Sequence, residues 1–259
     1  MREVNAILTI AFRDFAKLLR DNGRIAISFI FPVIFIGALG GSLQANFGSV
    51  LNYNFQTFVF IGVFAQTFFQ STASGIISLI QDRENDFSQE MFVSPISRYS
   101  IIFGKILGET MVSLVQVIGI LVFGVLLQVP LSITDILILL PAGVISSLLG
   151  GAFGTIVMAN LSNQRAASQI FPLLLFPQFF LAGVFNPIQE LPLPLWILSR
   201  IAPMTYAVDF VRHIYYFNKP EYQYVIINPF WVDVTVISVM FITFLAIGTF
   251  IFVRNERNR

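Results

Sequence analysis

Residues 55–92 read FQTFVFIGVFAQTFFQSTASGIISLI and then QDRENDFSQEMF. The first run, 55–80, has no charge and is built from Phe, Ile, Val and small hydroxyl residues. An uncharged, mostly apolar run of about 18 or more residues reads as a membrane-spanning helix, which satisfies its own backbone polar groups where no water can. The second run is the most polar in the chain, with Asp82, Arg83, Glu84, Asp86 and Glu90. No charge stands between Arg24 and Asp82. The change from apolar to acidic predicts a membrane helix that ends in a solvent-facing loop.

The same pattern extends in both directions. Spans are predicted at 25–43, 55–80, 101–128, 136–159, 170–185 and 230–253, the fifth short and broken by Pro172 and Pro177. The 259 residues are 56% hydrophobic and 11% charged, with 29 Phe, against about 25% charged in a soluble domain. A soluble core of this length cannot hide so much apolar surface, so the surrounding solvent is lipid. The reading is an all-α membrane protein of one transmembrane domain, 1–259. Residues 2–20 form an amphipathic helix for the membrane interface, with Val4, Ile7, Leu8, Ala11, Phe15, Leu18 and Leu19 at helical spacing and Arg13, Lys17 and Arg20 on another face. The proline-rich but apolar stretch between spans five and six predicts two short helices dipping in from the membrane edge.

Charge placement orients the spans. Lys and Arg cluster at the N-terminus (Arg2, Arg13, Lys17, Arg20, Arg24), after span two (Arg83, Arg98, Lys105), after span four (Arg165) and at the C-terminus (Arg254, Arg257, Arg259), twelve of fifteen in all. Loops 44–54 and 129–135 have none. The positive-inside bias puts both termini in the cytoplasm with six spans between them.

Several chemistries are missing. There is no Cys and a single His, His213, so neither disulfides nor a Cys-containing metal site is possible, and no metal-ligand spacing is read. Gly104-Lys105 is followed by Ile106 and lacks the upstream Gly of a phosphate-binding loop, so no ATP site and no cofactor is expected in this chain. No Gly-x-Ser-x-Gly occurs, no catalytic residue is found, and a net charge of +1 gives no footprint for nucleic acid. Glu109 and Asp135 are the carboxylates nearest a membrane interior. Asp135 lies at a span boundary, and Glu109 is four residues after Lys105, where a local ion pair accounts for it. Energy for active transport would come from a partner.

Two stretches carry a family likeness. DRENDFSQEMFVSPISRYSIIFGKILGE (82–109) resembles the cytoplasmic loop and third span of ABC-2 type transporter permeases. LAGVFNPIQELPLPLWILSRIAPMTYAVDFVRHIYY (181–216) resembles the same family's outer region through Leu191-Pro192, Trp196, Pro203, Thr205, Tyr206, Asp209 and Arg212. The doubled Leu-Pro at 191–194 departs from the usual single one. The likeness covers essentially the whole chain, and the loop pattern is closest to the daunorubicin- and multidrug-resistance-type branch.

The resemblance implies a permease acting as a homodimer in the cytoplasmic membrane of a prokaryote, with ATP and Mg in a separate ATPase subunit. Residues 81–97 would form a coupling helix seated in that ATPase, through Asp82, Arg83, Glu84, Asp86, Phe87, Glu90 and Met91. Phe87 and Met91 are one turn apart and can share a face. Residues 187–213 would be the extracellular re-entrant pair. Spans one, two and five would line the path, with Phe31, Phe35, Gln66, Phe69, Gln70, Phe176 and Phe179 as lining candidates. Gln66 and Gln70 are the stronger of these, because polar side chains in lipid face protein or water. Aromatic faces with a few amides suit a bulky hydrophobic or amphipathic compound, a drug or lipid-like molecule. Export of a polysaccharide or glycolipid is the alternative, and an ion-coupled carrier or channel without an ATPase the third reading.

Overall fold

The computed structural model describes residues 2–48, 51–84, 96–161, 163–189 and 191–257, and every regular element among them is helical. Helix α1 is Arg2–Leu19. The first span combines α2 (Asn22–Ile34), a π-helical segment (Phe35–Gly40) and α3 (Gly41–Phe47) without a break. Then follow α4 (Phe55–Glu84), α5 (Arg98–Leu126), α6 (Ile133–Ala159), α7 (Gln164–Leu181), α8 (Leu193–Ile201), α9 (Pro203–Tyr216), the short α10 (Tyr222–Val225) and α11 (Phe230–Arg257).

Five helical stretches are long and apolar enough to cross a membrane: Phe29–Asn46, Phe55–Ile80, Arg98–Leu126, Ile133–Ala159 and Phe230–Asn255. The predicted fifth span, 170–185, overlaps α7, whose 18 residues measure ~27 Å and include Gln164, Arg165, Ser168, Gln169 and Gln178. It stops early because Gly183 takes a left-handed φ of +71°, a conformation that suits glycine and ends helices. Other boundaries move for local reasons. The Ser132 side chain accepts from Asp135 N–H while the Asp135 carboxylate accepts from Ser132 N–H, so α6 starts three residues earlier than the apolar run suggests.

The central element is α4, packed between α5, α6 and α9. It lies closest to α6, where glycines replace side chains. A Cβ on Gly150 would stand 2.1 Å from the Phe69 carbonyl oxygen, and one on Gly154 2.5 Å from that of Ala73. Gly37 and Gly41, spaced the same way, make no such approach: nothing lies within 4 Å of a Cβ built on Gly41. Phe58, Phe60, Phe64, Phe68 and Phe69 of α4 are fully buried and form much of the core with residues of α6 and α9.

Helix α1 docks along α5. Gly104 and Gly108 bring the α5 backbone against that of Ile7 and Ala11. Ala11, Asp14 and Leu18 are buried on this face, while Val4, Leu8, Phe12 and Leu19 stay exposed on the adjoining one. Arg13, Lys17 and Arg20 occupy a third face by helical spacing, which is the arrangement of a helix lying at a membrane surface.

Candidate functional site

One face of α4 is left uncovered, and it is polar. Between Phe55 and Ile80 the partly accessible residues are Gln56, Thr67, Gln70, Ser71, Ser74, Ile77 and Ser78; Ile77 alone is apolar. From Thr67 to Ser78 these positions recur every three or four residues and so form a stripe. Gln66 Nε2 donates to Gln70 Oε1 at 3.2 Å at its edge. The Thr67 hydroxyl donates to the Val63 carbonyl and that of Ser78 to the Gly75 carbonyl. A continuous amide and hydroxyl stripe on a membrane helix faces water or protein, because lipid cannot satisfy it.

Aromatic rings of the first span meet those of α7 and of Phe185 just beyond its end. Phe31 and Phe35 are 4.2 Å apart between ring centroids, Phe35 stacks on Phe185 at 4.4 Å, and Phe31 stands 5.8 Å from Phe179. Phe176 and Phe180 extend the group and are exposed. The structure therefore brings Phe31, Phe35, Phe176 and Phe179 into one cluster and pairs Gln66 with Gln70. Phe69 goes elsewhere: it is fully buried toward α6, 5.7 Å from the Phe153 ring.

At the end of the bundle that carries α1, Lys105 of α5 pairs with Asp14 of α1 at 2.8 Å, with both side chains 2% exposed. Arg13 reaches the same carboxylate at 3.1 Å. Glu109 is also buried and occupies the space beside Gly75. Lys105 thus reaches across to another helix, a contact that its spacing from Glu109 does not announce. Glu3 accepts from Ser97 N–H at 3.2 Å, which places a carboxylate at the positive N-terminal end of α5. Asp82, Arg83 and Glu84 form the last turn of α4. Asp86, Phe87, Glu90 and Met91 lie outside the described residues.

At the opposite end of the bundle, residues of the 203–212 motif tie neighbouring segments together. The Thr205 hydroxyl donates to the Ser199 carbonyl and the Tyr206 hydroxyl to that of Arg200, both at 2.7 Å, closing the break between α8 and α9. Asp209 accepts from Ile227 N–H at 3.0 Å and Asn228 N–H at 2.7 Å. Arg212 donates to the carbonyls of Gly183 and Phe58 at 2.7 and 3.3 Å and lies 3.6 Å above the Phe58 ring, so it fastens α9 to α4 and to the end of α7. Burial lowers the Arg212 pKa to about 10, which leaves it protonated at neutral pH. Around this clasp, Arg200 and Asn228 are hydrogen-bonded, Asn228 Nδ2 donates to Asp233, and His213 bridges Tyr222, Asn228 and Asp233. Asp209, His213 and Asp233 are the group among the described residues whose donor atoms could hold a metal ion. The sequence hid it because the three residues lie on two helices and a single His sets no spacing.

The described residues thus form a helical bundle with five helices long and apolar enough to cross a membrane and a polar face on its central helix. Residues 5–216 match the family described as ABC-2 type transporter, and the chain belongs to that family. It is 28% identical over 217 residues, 82% of this chain and 74% of the other, to a protein of Cyanophora paradoxa named as a transport permease, ycf38. The ycf38 protein of Porphyra purpurea is 25% identical over 246 residues, 91% of this chain and 81% of its own. YbhR of Escherichia coli K12, named as a multidrug ABC transporter permease, is 25% identical over 140 residues, 54% of this chain and 38% of its own. The chain is thus a multi-pass membrane protein of a transport-permease family.

Proposed function

We propose that the chain is the membrane subunit of an ATP-driven exporter that moves a hydrophobic or amphipathic compound, a drug or lipid-like molecule, out of a prokaryotic cell. The observation that carries this reading is the uncovered amide and hydroxyl stripe of α4 beside the aromatic cluster of α2 and α7. Polar groups on one wall and stacked rings on the other match a molecule with both kinds of surface.

In this reading α7 completes a sixth crossing, both termini are cytoplasmic, and α8 and α9 are the re-entrant pair that caps the path. A second copy covers the open side of the bundle. Support comes from α7, which leaves Leu173, Phe176 and Phe180 exposed at 73%, 55% and 46%. ATP and Mg belong to a separate ATPase that docks on 81–97 and on the polar face of α1, and its cycle rocks the two halves against each other. The aromatic cluster consists of Phe alone, which favours a cargo with a lipophilic part to set against it.

The test is efflux from cells or vesicles carrying the permease and its ATPase, with Gln70→Trp and Ser74→Trp on the stripe and Ile247→Trp on the exposed face of α11 as control. Transport is expected to fall at least tenfold for the stripe variants, with thermal stability and ATPase capture retained, and to be unchanged for the control. Full transport with Trp at both stripe positions would remove this face from the path.

A further inference from the structure

Asp209, His213 and Asp233 meet behind the outer end of α11. One donor atom from each lies within 4.8 Å of the others. The residues are 0%, 3% and 0% exposed. His213 engages both ring nitrogens. Nδ1 is 2.7 Å from the Tyr222 hydroxyl, and Nε2 is 2.9 Å from the Asn228 carbonyl oxygen and 3.3 Å from Asp233 Oδ2. Neither oxygen facing Nε2 is a donor, so a positive centre must sit between them: a proton on Nε2 or a bound cation. Asp233 Oδ2 is buried and, apart from the 3.3 Å approach of His213 Nε2, has no hydrogen-bond partner among the described residues.

The surrounding contacts are those that orient metal ligands. The Tyr222 hydroxyl oxygen can accept the hydrogen bond of Nδ1–H, the tautomer that leaves the Nε2 lone pair pointing inward. Backbone N–H groups of Ile227 and Asn228 hold Asp209, and the Asn228 amide holds the other oxygen of Asp233. Ligating His and carboxylate groups are characteristically fixed from behind in this way.

We propose that Asp209, His213 and Asp233, with the Asn228 carbonyl, form a structural site for a divalent transition-metal cation of the Zn2+ class. An imidazole nitrogen among three oxygens suits Zn2+, whereas Ca2+ and Mg2+ require all-oxygen shells of six or more ligands. A tetrahedral ion with bonds of about 2.0–2.1 Å sets its ligands about 3.3 Å apart, and Nε2 already stands 3.3 Å from Asp233 Oδ2. The Asp209 carboxylate completes the shell by a short inward shift, each oxygen having a second lone pair free to ligate. The ion neutralises two buried carboxylates and ties α9, the 217–229 segment and α11 into one unit. This assignment is independent of what is exported.

The experiment uses the full-length protein in detergent, stripped with EDTA and dialysed against Zn2+, Co2+ or Mg2+. Metal content, thermal unfolding and the visible spectrum of the Co2+ form are measured. The expected result is about one Zn2+ per chain, a higher Tm with Zn2+ but not with Mg2+, and the visible absorption of tetrahedral Co2+. His213→Gln, which retains a donor for the Asn228 carbonyl, and Asp233→Asn should each lose the metal and the Tm rise. No retained Zn2+ and no Co2+ absorption in the unsubstituted protein would overturn the site and leave a proton on Nε2. Retention unchanged in both variants would place any bound metal elsewhere.

Discussion

Asp14 and Lys105 are a buried charge pair that joins α1 to α5. Removing one partner of such a pair costs about 3–5 kcal/mol, because the other is left buried and uncompensated, whereas replacing both with apolar residues is often neutral. Lys105→Met is therefore expected to destabilise the protein by that amount, and adding Asp14→Leu to restore most of it, as read by denaturant unfolding in detergent. A double variant as unstable as the single one would mean the pair is not what Lys105 provides. Two residues of α9 make stability depend on pH. Burial, then the charge of Asp233, raises the Asp209 pKa to about 7. Burial works against the His213 imidazolium, but the hydrogen bond to Asp233 and the charges of Asp209 and Asp233 outweigh it and raise its pKa. Both folded values exceed the ordinary ones, so both groups favour folding in their protonated forms. The penalty for ionised Asp209 grows as pH rises from its ordinary 3.8 to about 7. The gain from protonated His213 is full below its ordinary 6.5 and lost above its raised value. Metal-free protein should thus show a higher Tm at about pH 6 than at about pH 9, with a smaller difference in His213→Gln.

Among elements, the contact of α4 with α6 is the least forgiving. Gly150→Leu puts a side chain where the Phe69 carbonyl stands. The two helices must then separate, at a cost above the 1–3 kcal/mol typical of an overpacked core. Gly41→Ala meets nothing and should be neutral or stabilising by up to about 1 kcal/mol. A thermal unfolding comparison of the two checks this. Both glycines sit in small-xxx-small pairs, and only the fold distinguishes the pair that carries a close approach. The spans themselves were legible because an apolar run of membrane length has few other readings. The end of α7 was not: the apolar letters continue to Phe185, and the turn is set by Gly183. The π-helical segment after Pro32 left no periodic trace. Asp14 was invisible for a different reason, since a polar residue in an amphipathic helix reads as part of its wet face, yet α5 covers it. In the candidate path, the Gln66–Gln70 pair could be read from one-turn spacing. Phe69 could not be separated from its neighbours, because a Phe facing the core and one facing a path are the same letter.

For the whole molecule, the last turn of α4, which leads into the polar 81–92 stretch, and helix α1 are the places where the proposed ATPase contact can be tested. Replacing 81–92 with Gly and Ser should abolish co-purification of the ATPase while circular dichroism and Tm of the spans remain unchanged; an ATPase still captured would move the docking surface elsewhere. Charge reversal at Glu84 or Glu90, or Phe87→Ala, should uncouple ATP hydrolysis from efflux without unfolding. The docking of α1 on α5 also constrains how the protein is made. Glu3 binds a backbone group 94 residues later in the chain. At about 5–20 residues per second, α1 leaves the ribosome some 5–20 s before its seat exists. Over that interval two spans enter the membrane ahead of α5, and the exposed row of Val4, Leu8, Phe12 and Leu19 gives α1 a place to wait on the bilayer surface. Nascent chains stalled before and after residue 126 should show α1 cross-linking first to lipid and then to α5.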